Sequence, residues 1–594
     1  MIRRPIFLFA AGLLLAGCGA EVPMGRFATP EDQIYRPMAP KSLRADGAEL
    51  CDQPIELRSD TYDDALKARD AGGTPHPGRS RCYLSTYLVP GAAQWHERTQ
   101  TPEKRPIAQP DRYTLSFVEM PETGSALRAP RQLSDLQAHL SAPGQQVVIV
   151  YVHGWRHDAD IGNQNVRNFR TMLGFTRSAL NQRCIDTRRY CDARLTGVYV
   201  SWRGRSFNEP TGEDASGTQL LAGALRTVGD RKRQSEKLAL AQSSETPPLV
   251  GHVLRSIEGA LSPLDQSDAT ADKMLTMGHS FGGNMLATWL MPQMVTAVKE
   301  HVHGQQMAPV LGDLTVLVNP AAEAWKWTAI QREMRLRAGI PDSVFAVNPA
   351  NAPQQHRDAI RRWENMFAKD QRPTYIALTA TGNWAGIMRW VRKDSATRYA
   401  FKAHRAVAVE SPADKLMPPG VTRAEKATAI GHLEPQYRAT GGLRAGPAVG
   451  SSHEFINNRF DIPAKDAYAL SGSSKGAQCG SSQSGWLSKA LARAGSEGRG
   501  WDSSYHDGQH KPLLTNLSVG EVRSSKDSSD GEVQFRHALY LRFRKNSQSV
   551  AQASSPFWNI RAFDTAINEH AGFVRFTAVC GINILWLDNA TLPS

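Results

Sequence analysis

The chain has 594 residues, of which 41% are hydrophobic, so it exceeds one typical domain and can bury a sizeable core. Its 70 Lys and Arg residues against 57 Asp and Glu residues give a formal net charge of +13. The basic residues are spread along the chain, with the densest runs at 231–233 and 361–362, and no nucleic-acid-binding motif is present, which argues against such a partner. A net positive charge is expected of a protein surface that lies beside anionic lipid. A basic surface that binds no lipid is an equally good explanation.

The N-terminus predicts export. A basic start precedes an apolar run over residues 6–15, too short to span a bilayer as a mature helix, and Leu15–Cys18 resembles a bacterial lipobox. Residues 1–17 are therefore expected to be removed as a signal peptide, with Cys18 acylated and the protein anchored to the cell envelope. Gly19 favours the outer membrane. The alternative is a plain secretory peptide with an incidental cysteine, which also implies export.

The remaining chain is predicted to form a short tether and one large domain. Residues 18–48 contain several prolines and little periodic apolar pattern, as in a tether, and residues 49–594 form the domain. Within the domain, residues 205–270 are polar with two helical stretches, which predicts an insertion that is either a lid or a surface decoration. Residues 471–484 are rich in Ser and Gly and predict a flexible loop.

Cysteine usage agrees with export. Setting Cys18 aside leaves six of the seven cysteines, an even number that predicts three disulfides in an oxidising compartment. Sequence nearness favours the pairs Cys51 with Cys82, Cys184 with Cys191, and Cys479 with Cys580. No Cys-x-x-Cys pair is present, and Gly508 between His506 and His510 indicates a loop, so no metal site is predicted.

Two stretches predict early strands. Residues 113–120 alternate between apolar and polar residues, as a first strand would. Residues 146–155 form a continuous apolar, β-branched run that ends in His153, Gly154 and Trp155. Such a run is typical of a buried strand that ends in a loop.

The most informative stretch is Gly278-His279-Ser280-Phe281-Gly282. It follows a short apolar run at 273–277, typical of a buried strand, and precedes residues 284–290, which can continue as a helix. A Gly-x-Ser-x-Gly pentapeptide in this context places a serine on a sharp, strained turn, where the glycines prevent clashes between strand and helix. We therefore predict that Ser280 is a catalytic nucleophile.

The earlier strand supplies a complementary signal. Acyl transfer builds negative charge on a carbonyl oxygen, and preorganised N–H groups aimed at that oxygen are a large source of rate enhancement. One donor commonly follows the nucleophile, and the other lies in the loop after an earlier strand. These donors are predicted to be the N–H groups of Phe281 and Trp155. The alternative for residues 153–155 is an ordinary turn at a strand end.

Four signatures together resemble the α/β-hydrolase superfamily, and more closely its bacterial esterase-like lipoproteins. In chain order they are residues 153–155, 197–204, 278–283 and 316–321, and they cover about residues 112–400. The resemblance implies an α/β-hydrolase fold, in which helices flank a mostly parallel central sheet and polar segments are inserted. It also implies catalysis through an acyl-enzyme with no cofactor.

The resemblance implies a histidine as general base. In this superfamily the acid and then the histidine follow the serine along the chain. His570 is our choice, because it comes after a run at 555–561 that resembles the family's final strand. His432 is the alternative, although it follows too soon after the penultimate strand.

Several residues could supply the acid of the catalytic triad. At the family's usual position, after a strand at 373–379, the chain has Asn383, and an amide cannot stabilise an imidazolium by charge. Glu323, shortly after a strand at 314–318, is our choice of carboxylate, with Asp394 as the alternative. An amide in place of a triad acid costs about 10⁴-fold in turnover.

The sequence thus predicts a lipid-anchored serine ester hydrolase acting on small-molecule or lipid esters. The predicted catalytic residues are Ser280 as nucleophile, His570 as base and Glu323 as acid, with Phe281 and Trp155 as oxyanion donors. Membrane contact is expected through the anchor at Cys18. The alternative is a non-catalytic envelope scaffold or binding protein that retains a degenerate hydrolase fold, which Asn383 motivates.

Overall fold

A computed structural model of the protein describes the core of the chain. The described residues are 55–56, 83–88, 106–109, 112–120, 130–155, 157, 159, 163–202, 204, 229–241, 243, 246–262, 270–339, 354–368, 371–380, 411–427, 429–430, 453–457, 521–524, 533–536, 539–543, 555–562 and 576–587. The predicted signal peptide, the tether, Cys18 and the 471–484 loop lie outside these residues.

Thirteen strands are present among the described residues. They are β1 (Ile55–Glu56), β2 (Leu84–Leu88), β3 (Arg112–Glu119), β4 (Gln146–Val152), β5 (Arg194–Ser201), β6 (Lys273–His279), β7 (Leu314–Val318), β8 (Tyr375–Ala380), β9 (His453–Asn457), β10 (Glu521–Ser524), β11 (Val533–Arg536), β12 (Leu539–Phe543) and β13 (Phe557–Ala562). Eleven of them form one sheet in the order β1-β2-β3-β5-β4-β6-β7-β8-β13-β9-β12, and β10 pairs with β11 separately.

The central sheet is mostly parallel. Every neighbouring pair from β3 through β5, β4, β6, β7, β8 and β13 to β9 is parallel. At the two sides, β2 is antiparallel to β3 and β12 is antiparallel to β9. Parallel strands need long crossover connections, which are usually helices. The predicted α/β fold with a mostly parallel central sheet is confirmed.

The connections are helical, as a parallel sheet requires. The helices are α1 (Pro130–Leu140), α2 (Gln164–Thr187), α3 (Leu249–Glu258), α4 (Phe281–Glu300), α5 (Trp325–Ala338), α6 (Gln354–Glu364), α7 (Arg423–Ala427) and α8 (Phe576–Leu587). A further helical stretch is described over residues 229–239, and Pro412–Leu416 forms a 3₁₀ helix. Among the described helices, none combines the length and the apolar character needed to cross a bilayer.

Both faces of the sheet are covered, which explains the continuous apolar runs in the sequence. In β4 the odd-numbered residues 147–151 join an apolar cluster with α2 and α8. The even-numbered residues 148–152 join a second cluster with α1, α3, α4 and α5. A strand buried on both faces has no polar face, so it reads as an unbroken apolar run rather than an alternating one.

The described part of the predicted insertion at 205–270 packs onto the core. Leu238 and Ala239, at the end of the helical stretch, are 1% exposed, and Val250 and Leu254 of α3 are fully buried. These residues belong to the cluster that α4 and α5 share. The structure therefore describes residues 229–239 and α3 as core elements, and a lid elsewhere in this range stays a prediction.

One of the predicted disulfides is confirmed. Cys184, in the last turn of α2, is bonded to Cys191, in the turn before β5. Both cysteines are 2% exposed. The other two predicted pairs involve side chains outside the described residues.

Candidate functional site

Ser280 lies in the turn between β6 and α4, at the edge where the parallel strands end. Its backbone angles are φ 55° and ψ −116°. Such a conformation strains a residue that has a side chain, at a cost of roughly 1–3 kcal/mol, and is found mainly at functional sites. A Cβ on Gly278 would lie 2.7 Å from the carbonyl oxygen of Gly282, so the turn requires glycine there. The strand-turn-helix context has the form that the pentapeptide predicts.

Hydrogen bonds to neighbouring segments hold the backbone of this turn. The N–H of Ser280 donates to the carbonyl oxygen of Val318, at the end of β7, at 3.1 Å. The carbonyl oxygen of Ser280 accepts from the N–H groups of Asn284 at 3.0 Å and Ala321 at 2.9 Å. The strained turn is therefore fixed both to its own helix and to the chain after β7.

The loop after β4 is in contact with the serine. A Cβ built on Gly154 would lie 2.8 Å from Ser280 Cβ and 3.0 Å from the carbonyl oxygen of His279. Trp155 follows directly and is partly buried against the core. Because any side chain at position 154 would collide with the serine turn, glycine allows the two loops to approach this closely.

Phe281 is the first residue of α4 and is 3% exposed. The first N–H groups of a helix have no acceptor within the helix, and the helix start carries a partial positive charge. Ser280 makes no side-chain hydrogen bond to cap this helix. The structure thus brings Ser280, Phe281 and the Gly154–Trp155 loop together at a helix end that favours negative charge. Phe281 and Trp155 as oxyanion donors stay a prediction.

His153 supports this loop as a neutral side chain. Its Nε2 accepts from the backbone N–H of Trp202 at 3.1 Å, so the proton is on Nδ1, which donates to the carbonyl oxygen of Gly154 at 2.8 Å. The ring stacks with the rings of Tyr199 and Trp202, whose centroids are 5.4 Å and 5.7 Å away. Burial lowers the pKa of His153 to about 3. This histidine therefore connects the end of β5 to the loop against Ser280.

His157 connects the same loop to α2. Its Nδ1 lies 3.1 Å from Asn163 Oδ1, which also accepts from the N–H of Asn165 and so caps the start of α2. Burial lowers the pKa of His157 to about 4. A Cβ on Gly204 would lie 2.8 Å from the carbonyl oxygen of His157, so the chain after β5 also packs closely on this loop.

Glu323 lies just past β7 and faces lysines. Its Oε1 contacts Lys232 Nζ, and its Oε2 is 2.9 Å from Lys326 Nζ. The Glu323 side chain is 7% exposed. Both carboxylate oxygens therefore face ammonium groups, and Glu323 as the acid behind a histidine stays a prediction.

The remaining predicted members of the site lie outside the described residues. These are His570, the alternative base His432, and the alternative acid positions Asn383 and Asp394. Within the described ranges, no cluster of three or more His, Cys, Asp or Glu side chains has an arrangement that holds a metal ion.

Comparisons with known proteins give no family assignment. No family model matches the chain, and no curated protein matches it. Among solved structures it is similar to the siderophore hydrolase EstB from Aspergillus nidulans, with 10% identity, a TM-score of 0.18, and coverage of 46% of this chain and 75% of that one. It is also similar to a C6-C4 SN3 inhibited esterase B from Lactobacillus rhamnosis, with 12% identity, a TM-score of 0.14, and coverage of 57% and 78%. TM-scores this low support no inference about activity.

Four buried residues near Ser280 are not predicted from the sequence, and these are Lys232, Glu236, Asn284 and Lys326. Lys232 is fully buried, although its run at 231–233 has the composition of a basic surface. The spacing of these charges does indicate ion pairs of the kind found in helices. Lys232 and Glu236 are four residues apart, and Glu323 and Lys326 are three residues apart. Nothing in the sequence shows that the two pairs meet.

We expect Gly154→Ala to lower the rate at which an organophosphonate probe reacts with Ser280 by about 100-fold or more, the usual cost of losing an oxyanion donor. The added methyl group would displace the loop or the serine turn, since Ser280 Cβ is 2.8 Å from its position. Gly259→Ala is the control, because a Cβ there meets a single backbone oxygen at 3.2 Å. Equal rates in the two variants would contradict close contact between the loop and the serine.

We expect the free energy of unfolding to fall as the pH is lowered from about 6.5, the ordinary histidine pKa, towards 3. In the folded state the pKa values of His153 and His157 are lowered to about 3 and about 4. The unfolded chain therefore takes up protons in this range that the folded protein does not, and stability that is complete above pH 6.5 is lost on acidification.

The isolated contribution of His153 can be measured with His153→Gln, whose amide oxygen can still accept from Trp202. Between pH 6 and 4, urea unfolding of the variant should depend on pH less steeply than that of the wild type, by about 1.4 kcal/mol per pH unit, equivalent to one proton. Parallel pH profiles for the two proteins would show that His153 titrates normally in the folded state.

Proposed function

We propose that the protein is a serine hydrolase of the α/β-hydrolase type that cleaves carboxylic esters through an acyl-enzyme on Ser280. The observation that carries the proposal is the strained backbone of Ser280, at φ 55°, in contact with the glycine of the loop after β4. Strain of this kind persists where the surrounding structure enforces it, and a serine nucleophile on a strand-to-helix turn requires it.

The proposed reaction has two halves. The hydroxyl oxygen of Ser280 attacks the ester carbonyl carbon while a histidine takes the hydroxyl proton, and the N–H groups of Phe281 and Trp155 bind the resulting oxyanion. The start of α4 adds a partial positive charge beside that oxygen. Collapse of the intermediate releases the alcohol with the proton from the histidine, and water then hydrolyses the acyl-enzyme by the same steps.

The position of β13 supports His570 as the base. β13 is parallel to β8 and three strands from β6, which corresponds to about 14 Å across the sheet. Because these strands are parallel, the chain leaves β13 at the same edge where Ser280 lies. His570 follows Ala562 by eight residues, and eight extended residues span at most about 28 Å, so the histidine is within reach of Ser280.

The contacts of Glu323 weigh against it as the acid, since both of its carboxylate oxygens face lysines. The chain after β8 offers Asn383 and Asp394 instead, and β8 ends at Ala380, beside β13. We propose that Asp394 is the better candidate, because a carboxylate stabilises the imidazolium and an amide does not.

The proposed location is the bacterial cell envelope, with a lipid anchor at Cys18 and export to the outer membrane. The lipobox-like Leu15–Cys18 supports this location. The disulfide between Cys184 and Cys191 also fits an oxidising compartment. The proposed substrates are small-molecule or lipid esters.

The test is hydrolysis of p-nitrophenyl esters of short and long acyl chains by protein that lacks residues 1–17. We expect Ser280→Ala to lose on the order of 10⁴-fold or more in kcat, because the nucleophile is removed while the fold is kept. Ser141→Ala, an exposed serine bonded to the carbonyl oxygen of Ala260, should have wild-type turnover. The better acyl length in the wild type would then indicate the substrate class.

A folded wild-type protein that turns over no ester of either length would contradict the proposal and support the non-catalytic scaffold. Turnover that survives in Ser280→Ala would instead assign the activity to another residue. Circular dichroism of each variant shows whether the fold is retained.

A further inference from the structure

Four charged side chains form a closed, buried ring beside the serine turn. They are Lys232, Glu236, Glu323 and Lys326, and none of their side chains is more than 7% exposed. Charged residues of these types are almost never fully buried unless they are paired. The ring combines residues from the helical stretch 229–239, the chain after β7, and the first turn of α5.

Charges alternate around the ring. Lys232 Nζ contacts Glu323 Oε1, and Glu323 Oε2 lies 2.9 Å from Lys326 Nζ. Lys326 Nζ is 2.9 Å from Glu236 Oε1, which is 3.7 Å from Lys232 Nζ and so closes the ring. Each carboxylate therefore faces two ammonium groups, and the four charges sum to zero.

Within the ring, the neighbouring opposite charges hold Glu236 and Lys326 in their charged forms. Burial raises the pKa of Glu236, but the ammonium groups of Lys326 and Lys232 outweigh this effect and lower it to about 2. Burial lowers the pKa of Lys326, but Glu236 and Glu323 outweigh it and raise the pKa above the ordinary value. Removing one member would therefore leave an uncompensated charge in the interior.

Asn284 connects the ring to the nucleophile. Its side-chain oxygen accepts from Lys326 Nζ at 2.6 Å, and its side-chain nitrogen donates to Ser235 Oγ at 2.9 Å. Its backbone N–H donates to the carbonyl oxygen of Ser280 at 3.0 Å. One residue of α4 thus bonds both the ring and the strained serine.

A second connection runs through the chain after β7. Ala321 donates its N–H to the same Ser280 carbonyl oxygen at 2.9 Å, and Glu323 follows two residues later. A Cβ on Gly283 would lie 2.9 Å from Pro320 Cβ, so this chain packs tightly on α4. The ring therefore holds both segments that bond the Ser280 carbonyl.

We propose that this ring positions the Ser280 turn and that its neutrality sets the electrostatic potential at the nucleophile. The catalytic readout rests on the function proposed above. In this assignment Lys232, Glu236, Glu323 and Lys326 are positioning residues, which act through Asn284 and the 319–323 chain.

The distance is short enough for a measurable electrostatic effect. Ser280 and Asn284 are about 6 Å apart along the helix, and Lys326 Nζ lies 2.6 Å beyond the Asn284 side-chain oxygen. At an effective dielectric constant of about 20, a unit charge about 12 Å from a histidine moves the pKa of that histidine by about one unit. The described histidines near the turn are His153, His157 and His279.

The experiment measures the rate of Ser280 phosphonylation against pH. In the wild type the rate rises with pH as the base loses its proton. Lys326→Met leaves a surplus negative charge, which favours the protonated base, so the rise should move to higher pH by about one unit. Glu236→Gln leaves a surplus positive charge, so the rise should move to lower pH by a similar amount.

Two control variants separate the electrostatic effect of the ring from a general loss of stability. Lys273→Met removes a buried lysine whose Nζ lies 3.5 Å from Asp313 Oδ1, at the opposite end of β6 and about 23 Å from Ser280. Because the Coulomb energy falls with distance, it should shift the pH profile by at most about half as much as Lys326→Met does. The double variant Lys326→Met with Glu236→Gln removes one charge of each sign and should return the profile towards the wild type. The proposal would be overturned if Lys326→Met and Glu236→Gln moved the rise in rate in the same direction. It would also be overturned if Lys273→Met moved the rise as far as Lys326→Met does.

Hydrogen exchange tests the positioning role without any catalytic readout. Peptides that cover residues 279–286 and 319–326 should exchange at least 10-fold faster in Lys326→Met than in Lys273→Met, when the two variants are compared at equal global stability. Unchanged exchange would overturn the proposal. If the wild type does not react with the probe, the function proposed above fails, while the exchange result still decides whether the ring positions the turn.

Discussion

The close meeting of three chain segments at Ser280 is the constraint on which the site depends. The end of β4, the end of β6 and the start of α4 approach until Gly154, Gly278 and Gly282 have no room for a side chain. The approach is possible because the parallel order β4-β6-β7 brings these strand ends to one edge of the sheet. It also forces Ser280 into a strained conformation with a positive φ, which the neighbouring segments must maintain.

The surrounding polar groups act mainly to maintain that geometry. His153 is held neutral by burial, stacks with two aromatic rings and donates to the carbonyl oxygen of Gly154, so it fixes the loop on one side of the serine. On the other side, the Lys326 ammonium group bonds Asn284, which in turn bonds Ser280. These buried polar side chains thus hold the backbone around the nucleophile in place, as preorganised sites require.

The sequence predicts the sheet and the serine turn well, because both depend on local patterns. β4 is buried on both faces and reads as an unbroken apolar run, and β6 reads as a short, mostly apolar run. The pentapeptide with two glycines specifies a turn that few other residues can form. The order of the strands in the sheet is harder to predict from sequence, because β13 pairs with β8 across more than 170 residues of chain.

The buried ring of charges could not be predicted from the sequence, because its formation depends on how distant elements pack. Lys232 lies in a run of three basic residues, which normally indicates a solvated surface, and its burial depends on carboxylates that other elements supply. Glu323 likewise has the position of a triad acid when only its own strand is considered. Its lysine partners belong to 229–239 and α5, and their meeting point follows from packing rather than from local pattern.

The most direct test of the central claim is to locate the covalent adduct formed when the protein reacts with a fluorophosphonate. After proteolysis and mass spectrometry, we expect a single phosphonylated peptide, with the modification on Ser280 and none in heat-denatured protein. Labelling at Ser280 in the folded protein alone would show that the strained turn activates this serine. An adduct on another serine, or no adduct on well-folded protein, would show that the strained turn does not make Ser280 a nucleophile.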